Sequence, residues 1–197
     1  MKSSYELYFV FAHNNHISLT CDRNHCDLAS FKKIINKDHV EELLDCAYHL
    51  SLFPYTMPHE DLAYSLNLIS THNQHHGLIR KKQFDRIEPF EYKKELGYGG
   101  CFYASTQNDA IAYVVGEPQT IVRFCNKSTD TDEILRVSDK LKKQKYEVAA
   151  FAQREELDPY RNILLRGVRS SMTYLGMIAW KKLGMSKPDS VPSAMQN

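Results

Sequence analysis

The most informative stretch of the chain is Gly97-Tyr98-Gly99-Gly100-Cys101-Phe102-Tyr103-Ala104-Ser105-Thr106-Gln107-Asn108-Asp109-Ala110-Ile111-Ala112-Tyr113. Glycine accepts positive φ and lets other groups approach the backbone, so the glycines indicate a turn. Residues 101–104 suit a strand, and Thr106 or Asn108 would cap a helix that begins near Ala110. The stretch therefore predicts a turn, a strand and a helix, with the ring of Tyr103 lining a concavity. Such a unit can hold a ligand against the backbone.

The sequence before this stretch predicts a hairpin and three helices. Alternating apolar residues indicate strands over 5–12 and 16–21, joined by a tight turn at His13-Asn14-Asn15. Apolar residues at helical spacing indicate helices over 27–36, 40–52 and 59–70. From 71 to 96 this period is lost and the charge rises, which is typical of a long surface segment such as a lid or a recognition loop.

The sequence after it predicts a strand over 119–125, a helix from Asp130 or Thr131 to about Lys143, and a strand over 146–152. Residues 160–183 carry apolar side chains near helical spacing and precede Gly184, which indicates a long terminal helix. Proline and serine in 186–197 indicate a disordered tail. We therefore predict one α+β domain over 1–185, with a mixed small sheet, an N-terminal hairpin, a helical middle and a long C-terminal helix.

The composition narrows the classes of partner and compartment. The 197 residues include 25 basic and 24 acidic side chains, so the overall charge does not indicate a nucleic-acid partner. No apolar run approaches the roughly 18 residues of a spanning helix, and the first residues lack the apolar region of a signal peptide. Five cysteines, an odd set, indicate free thiols in a reducing compartment. We expect a cytoplasmic protein, or one secreted without a classical signal; the oligomeric state stays open.

The order of glycines, aromatic strand and following small residues resembles the central motif of the ADP-ribosyltransferase superfamily. The resemblance implies an NAD-binding transferase of the mono-ADP-ribosyltransferase kind, an effector acting on a protein target. It implies a nicotinamide pocket in which Tyr103 stacks on the pyridinium ring, because aromatic faces favour such a cation. The cofactor-binding residues implied in this way are Gly99, Gly100, Tyr103, Ser105 and Tyr113.

Two further catalytic residues follow from the same resemblance. An upstream histidine that bonds the nicotinamide ribose matches His76, which precedes Gly77, with His72 as the alternative. An acidic residue in a later strand matches Glu147, whose carboxylate would stabilise the charge that develops at the ribose. The implied catalytic set is therefore Glu147, Tyr103 and His76.

Two other kinds of chemistry are weaker alternatives. Cys101 follows two glycines and would become a nucleophile beside His72, His75 or His76, although a buried inert thiol is the usual role of a cysteine. Zinc-competent residues cluster at the N-terminus, but their spacing matches no zinc framework, so we expect no metal there. These residues are His13, His16, Cys21, His25 and Cys26.

Local basic runs support a second function, a non-enzymatic adaptor or effector that binds a protein partner. One run combines Arg136 with Lys140, Lys142, Lys143 and Lys145. Others comprise Arg80, Lys81, Lys82 and Arg86, and, on the expected terminal helix, Arg161, Arg166, Arg169, Lys181 and Lys182. A basic amphipathic helix and the His-rich loop would make the contacts. The position of Glu147 separates the two functions: a transferase needs it in the same cavity as Tyr103.

Overall fold

The computed structural model describes residues 4–11, 16–22, 40–75, 84–104, 110–126, 129–156 and 171–183. The helices are α1 (Val40–Ser51), α2 (Glu60–His75), α3 (Pro118–Phe124) and α4 (Thr131–Lys143), with a short 3-10 turn at Pro54–Thr56. The strands are β1 (Ser4–Phe11), β2 (His16–Asp22), β3 (Arg86–Lys93), β4 (Tyr98–Ala104), β5 (Ala110–Gly116), β6 (Glu147–Glu156) and β7 (Thr173–Leu183). The α+β class is confirmed.

These strands form one sheet in the order β2-β1-β7-β6-β5-β4-β3. Every neighbouring pair is antiparallel, so the sheet is not mixed in strand direction as predicted. The N-terminal hairpin of β1 and β2 and the helical middle are confirmed. Because β1 pairs with β7, the first and last strands of the described chain lie side by side, next to the edge strand β2.

Helices cover both faces of the sheet, and a core lies under each pair. On one side, here called the α1 face, α1 and α2 pack over β-sheet residues such as Phe9, Tyr103 and Phe151. On the other, the α4 face, α3 and α4 pack over Phe102, Val114 and Ala150. Successive strand residues alternate between the faces, so β4 and β5 are buried along their whole length.

This double burial explains one wrong prediction. Residues 110–116 form β5 and not a helix. A strand that is covered on both faces needs apolar side chains at every position, and such a run carries no period that separates a strand from a helix. Of the predicted turn, strand and helix, the turn at Gly97 and the strand β4 are confirmed.

A β-bulge explains a second wrong prediction, the long terminal helix. Residues 173–183 form β7, whereas a helix over 160–183 was expected; residues 157–170 lie outside the described residues. The register between β6 and β7 shifts beside Gly176, whose φ is 147°. The shift places Leu175 and Ile178 on the α1 face and Tyr174 and Met177 on the α4 face. Apolar residues three apart in a bulged strand imitate the period of a helix.

Of the other predicted elements, some agree with the structure and some do not. Helix α4 begins where predicted, because the Asp130 carboxylate accepts a hydrogen bond from the Glu133 backbone N–H at 3.1 Å. The expected strand over 119–125 is instead α3, which Pro118 opens at a position that suits proline. The expected loop over 71–96 contains the end of α2 and all of β3. The predicted helix over 27–36 and the tail over 186–197 lie outside the described residues.

Candidate functional site

The glycines of the central stretch make room for the protein's own groups. A Cβ atom on Gly99 would collide with the carbonyl oxygen of Thr56 and with the backbone of Tyr92. A Cβ atom on Gly100 would collide with the ring of Phe90, its cross-strand neighbour, and with the carbonyl oxygen of Tyr113. The space that the sequence suggested for a nucleotide is therefore filled by the 3-10 turn on one face and by an aromatic ring on the other.

Tyr103 lies inside the core of the α1 face and is 1% exposed, so the prediction that its ring lines a concavity is wrong. Its hydroxyl donates a hydrogen bond to the carbonyl oxygen of His49 at 2.8 Å. Its ring centroid is 4.8 Å from that of His49, 4.9 Å from that of Phe84 and 5.8 Å from that of Tyr113. Burial raises the pKa of the Tyr103 hydroxyl far above its usual value. The physical reason is that β4 lies between β3 and β5 and is buried along its whole length, with Tyr103 on the α1 face.

Glu147 does not share a cavity with Tyr103. Glu147 is exposed at the first position of β6, opposite Trp180 of β7. Tyr103 pairs with Ile111, which pairs with Glu155 near the other end of β6. Roughly eight residues, or about 26 Å of extended strand, separate the two levels of the sheet. Of the implied NAD site, the structure brings Tyr103 and Tyr113 together in the core, whereas His76 and Ser105 lie outside the described residues.

Cys101 has none of the properties of a nucleophile. It is fully buried, and burial raises the pKa of its thiol to about 12, so the thiolate is scarce at neutral pH. The side chains of His72 and His75 are not among those described. The histidine that lies in this core is His49, which stacks on the ring of Tyr113 with a centroid distance of 5.4 Å. Sequence reasoning missed it, although its place between Ala47 and Leu50 in the apolar stripe of α1 indicates burial.

Among the described residues, no group of three or more His, Cys, Asp or Glu side chains could hold a metal ion. The N-terminal cluster of histidines and cysteines was not part of that group of residues. His13, His25 and Cys26 lie outside the described residues, and of His16 and Cys21 only the backbone is described. The expectation about this cluster therefore stays a prediction.

A groove on the α4 face is the candidate site. It has a volume of about 300 Å³ and lies between α4 and the adjoining part of β1. Five of its lining residues come from α4 at positions three or four apart, so they share one side of that helix, and the C-cap residue Gln144 continues the same side. The groove is lined by Tyr8, Val10, Glu133, Arg136, Val137, Lys140, Leu141, Gln144 and Tyr146.

The packing of α4 determines which side chains reach the groove. Leu141 is buried against the sheet, with Ile134 and Val137 half-buried beside it, and this fixes the rotation of the helix. The polar positions that flank this stripe, Arg136 and Lys140, then form one wall of the groove. The α4-face residues of β1 supply the opposite wall, and the ring of Tyr146 lies 6.3 Å from that of Tyr8. One wall is cationic and the other is aromatic and aliphatic.

The charges of the groove are arranged unevenly. Arg136 donates from Nε and Nη2 to the two carboxylate oxygens of Glu133, each at 2.7 Å, and these bonds lower the pKa of Glu133. Three of the five guanidinium N–H groups lie outside this pair. Lys140 is exposed and forms no ion pair within the described part of the chain. The groove therefore has cationic donors available beside an anchored carboxylate.

The end of the groove is held by a second polar group. Lys181 places its ammonium 5.7 Å from the ring centroid of Tyr146 and 3.4 Å from the carbonyl oxygen of Gln144. Burial, together with a hydrogen bond to the Glu6 carboxylate, raises the pKa of Tyr146 to about 12. These contacts tie the C-terminal end of α4 to β7 and β1.

The sequence contained only half of this site. Arg136 and Lys140 belong to a basic run that was identified, but the structure separates them from Lys142, Lys143 and Lys145, which are exposed and do not line the groove. Tyr8 and Val10 were missed as site residues. Their strand pattern signals burial, and nothing in it signals a partner helix more than 120 residues away.

Comparisons with known proteins assign no family to this chain. No protein-family model matches it, and no curated protein matches it significantly. No helix among the described residues is long and apolar enough to cross a membrane. The function therefore has to be argued from the site alone.

Proposed function

We propose that the protein is a binding module, and that the groove between α4 and β1 takes a ligand that combines an apolar group with a negative charge. The observation that carries this proposal is the pairing of a cationic wall with an aromatic and aliphatic wall in one concavity. It corresponds to the interaction protein that the basic run predicted, with α4 in place of the expected terminal helix. Protein ligand sites typically combine apolar lining with a few placed polar groups.

The ionisation of the groove supports binding rather than catalysis. Burial raises the pKa of Tyr8, and that of Tyr146 is raised to about 12, so both phenols stay protonated at neutral pH. The bonds from Arg136 lower the pKa of Glu133, which therefore stays charged. A general acid or base works best with a pKa near the working pH, and these three shifts all lead away from it.

The apolar wall accounts for most of the expected affinity. The half-buried side chains of Val137, Tyr8 and Tyr146 offer the apolar surface, above the buried Val10 and Leu141, in a groove at the lower end of the usual range of pocket volumes. Ion pairs at exposed lysines contribute little by themselves, because water and salt screen them. We therefore expect Lys140 to select for negative charge while the apolar contacts hold the ligand.

The probe 1-anilinonaphthalene-8-sulfonate tests this function, because it joins an aromatic body to one anionic group. We expect saturable binding with one site, weakened about threefold to tenfold by Lys140→Glu. Lys142→Glu is the matched control: it makes the same charge change on the same helix outside the groove, and it should leave the affinity unchanged. Equal affinities in the wild type and both variants would contradict the proposal.

The NAD-dependent transferase remains a separate hypothesis with its own test. A ligand that binds the native state raises the melting temperature by mass action. If the protein is a binding module of this kind, we expect millimolar NAD to raise the melting temperature no more than millimolar AMP does. A larger shift with NAD that Glu147→Gln preserves would favour the transferase, because that carboxylate would act on charge in the transition state.

A further inference from the structure

We propose that the groove takes an extended acidic segment of a partner protein, in which acidic side chains alternate with apolar ones. This inference rests on the proposed binding function and specifies its ligand. The α4 wall presents Arg136 and Lys140, and the facing wall presents Tyr8, Val10 and Tyr146. A ligand that fills both walls at once needs charge on one side and apolar surface on the other.

The spacing of the two cations favours an extended chain. Arg136 and Lys140 are four residues apart on α4, which places them about 6 Å apart along the helix axis. In an extended peptide, residues two apart lie on the same side with a separation of about 6.6 Å. Acidic residues at alternate positions therefore match the two cations. The residue between them points to the opposite side, toward the aromatic and aliphatic wall.

The dimensions of the groove disfavour a helical partner. The lining positions 133–144 extend over three turns of α4, or about 16 Å. A groove with a volume of about 300 Å³ over that length has a small cross-section. An α-helix with its side chains has a diameter of about 10–12 Å, so the length that spans these positions needs several times this volume, and a single extended chain is thinner.

Glu133 gives the site a built-in competitor. Its carboxylate already receives two of the N–H groups of Arg136, as a carboxylate of the partner would. Removing its charge weakens its hold on these donors, because an amide oxygen accepts more weakly than a carboxylate, and it lowers the repulsion of an acidic ligand. Glu133→Gln should therefore strengthen the binding of an acidic segment, whereas Lys140→Glu should weaken it. A general loss of structure would weaken binding in both variants, so opposite changes in affinity would show a specific effect of charge.

Single-stranded nucleic acid is the competing occupant, since its phosphates also repeat at short intervals. The groove lacks the parallel ring surfaces on which bases stack, because the rings of Tyr8 and Tyr146 are inclined by 50°. The aliphatic side chains of Val10, Val137 and Leu141 suit an aliphatic partner. The acidic peptide is therefore the favoured class.

Fluorescence anisotropy with three labelled peptides tests the inference. The probe is Gly-Ser-Glu-Leu-Glu-Leu-Glu-Ser; the controls are the same peptide with lysine for glutamate and one with the order Leu-Leu-Glu-Glu-Glu. We expect the alternating acidic peptide to bind about tenfold tighter than the lysine peptide and about threefold tighter than the blocked order. Lys140→Glu should remove about tenfold in affinity and Glu133→Gln should add about twofold, with Lys142→Glu unchanged.

The outcomes separate this inference from the function on which it rests. If the acidic peptide fails to bind while the naphthalene sulfonate still binds in a Lys140-dependent way, the inference is overturned and the binding function stands. If neither probe depends on Lys140, both are overturned. Tighter binding of a ten-residue oligothymidine than of the acidic peptide would also overturn the inference.

Discussion

The two faces of the sheet differ in how completely their helices cover them. On the α1 face, two helices of 12 and 16 residues bury a cluster that includes His49, Tyr103 and Tyr113. On the α4 face, helices of 7 and 13 residues leave a groove beside β1. Three candidate site residues of the central stretch, Cys101, Tyr103 and Tyr113, lie on this covered face. Residues that suggest a site in the sequence here pack against one another and against His49, whereas the open groove lies on the other face.

The largest expected effect is on the covered face. Tyr103→Ala removes a buried ring and leaves a cavity, and such changes cost about 3–5 kcal/mol of the free energy of unfolding. Urea unfolding followed by circular dichroism measures it. A destabilisation below about 1 kcal/mol would mean that Tyr103 is not a core residue, and the comparison of the two faces would fail.

Removing only the hydroxyl groups sharpens this test. Tyr103 donates to the carbonyl oxygen of His49, so Tyr103→Phe should cost about 1 kcal/mol. The hydroxyl of Tyr113 is buried without a hydrogen-bond partner among the described residues, so Tyr113→Phe should be neutral or stabilising.

The next effect concerns Gly100 of β4, which lies in close contact with Phe90 and with the backbone of Tyr113. Gly100→Ala places a Cβ atom against the ring of Phe90 and the carbonyl oxygen of Tyr113. Overpacking of this kind costs about 1–3 kcal/mol, measured by urea unfolding. In a Phe90→Ala background the same change should cost less, since one of the two collisions is gone. Tolerance of Gly100→Ala without loss of stability would reopen the reading of these glycines as a ligand cradle.

Alkaline pH provides a smaller and graded test of the covered face. Burial raises the pKa of Tyr103 in the folded state, whereas in the unfolded state it is about 10. Below pH 10 the hydroxyl is protonated in both states, and its contribution to stability is fully present. As the pH rises above 10, the unfolded state loses its proton first, and stability falls by about 1.4 kcal/mol per pH unit for this group. The wild type should therefore lose stability faster than Tyr103→Phe between pH 10 and 11. Parallel curves would contradict the assigned burial.

The smallest effect lies at the end of α4, beside the groove. Lys145 follows this helix with a φ of 69°, and the Tyr146 N–H bonds back to the carbonyl oxygen of Leu141 at 3.2 Å. Glycine suits this position better than any residue with a side chain. Lys145→Gly should therefore raise the free energy of unfolding by about 0.5–1 kcal/mol. Unchanged probe affinity in this variant would show that the groove does not use Lys145.

The parts of the fold that were predicted correctly have local causes. The cap at Asp130, the apolar stripe of α1 and the alternation in β1 each act within about a dozen residues. The parts that were wrong have distant causes. A strand covered on both faces loses its period, as in β5, and a bulge at Gly176 gives β7 a false one. For the site, the basic run on α4 was visible, while its aromatic wall was not.

The α+β class, the hairpin, α1, α2, α4 and the basic side chains of the groove follow from the sequence alone, because periodicity and capping arise from neighbouring residues. Which side chains face a concavity depends on the tertiary structure. It turned Tyr103 inward and Glu147 outward at opposite ends of the sheet, and it brought Tyr8 beside Lys140. Such placements depend on which strands pair and which helix covers them, and these contacts join residues far apart in the chain.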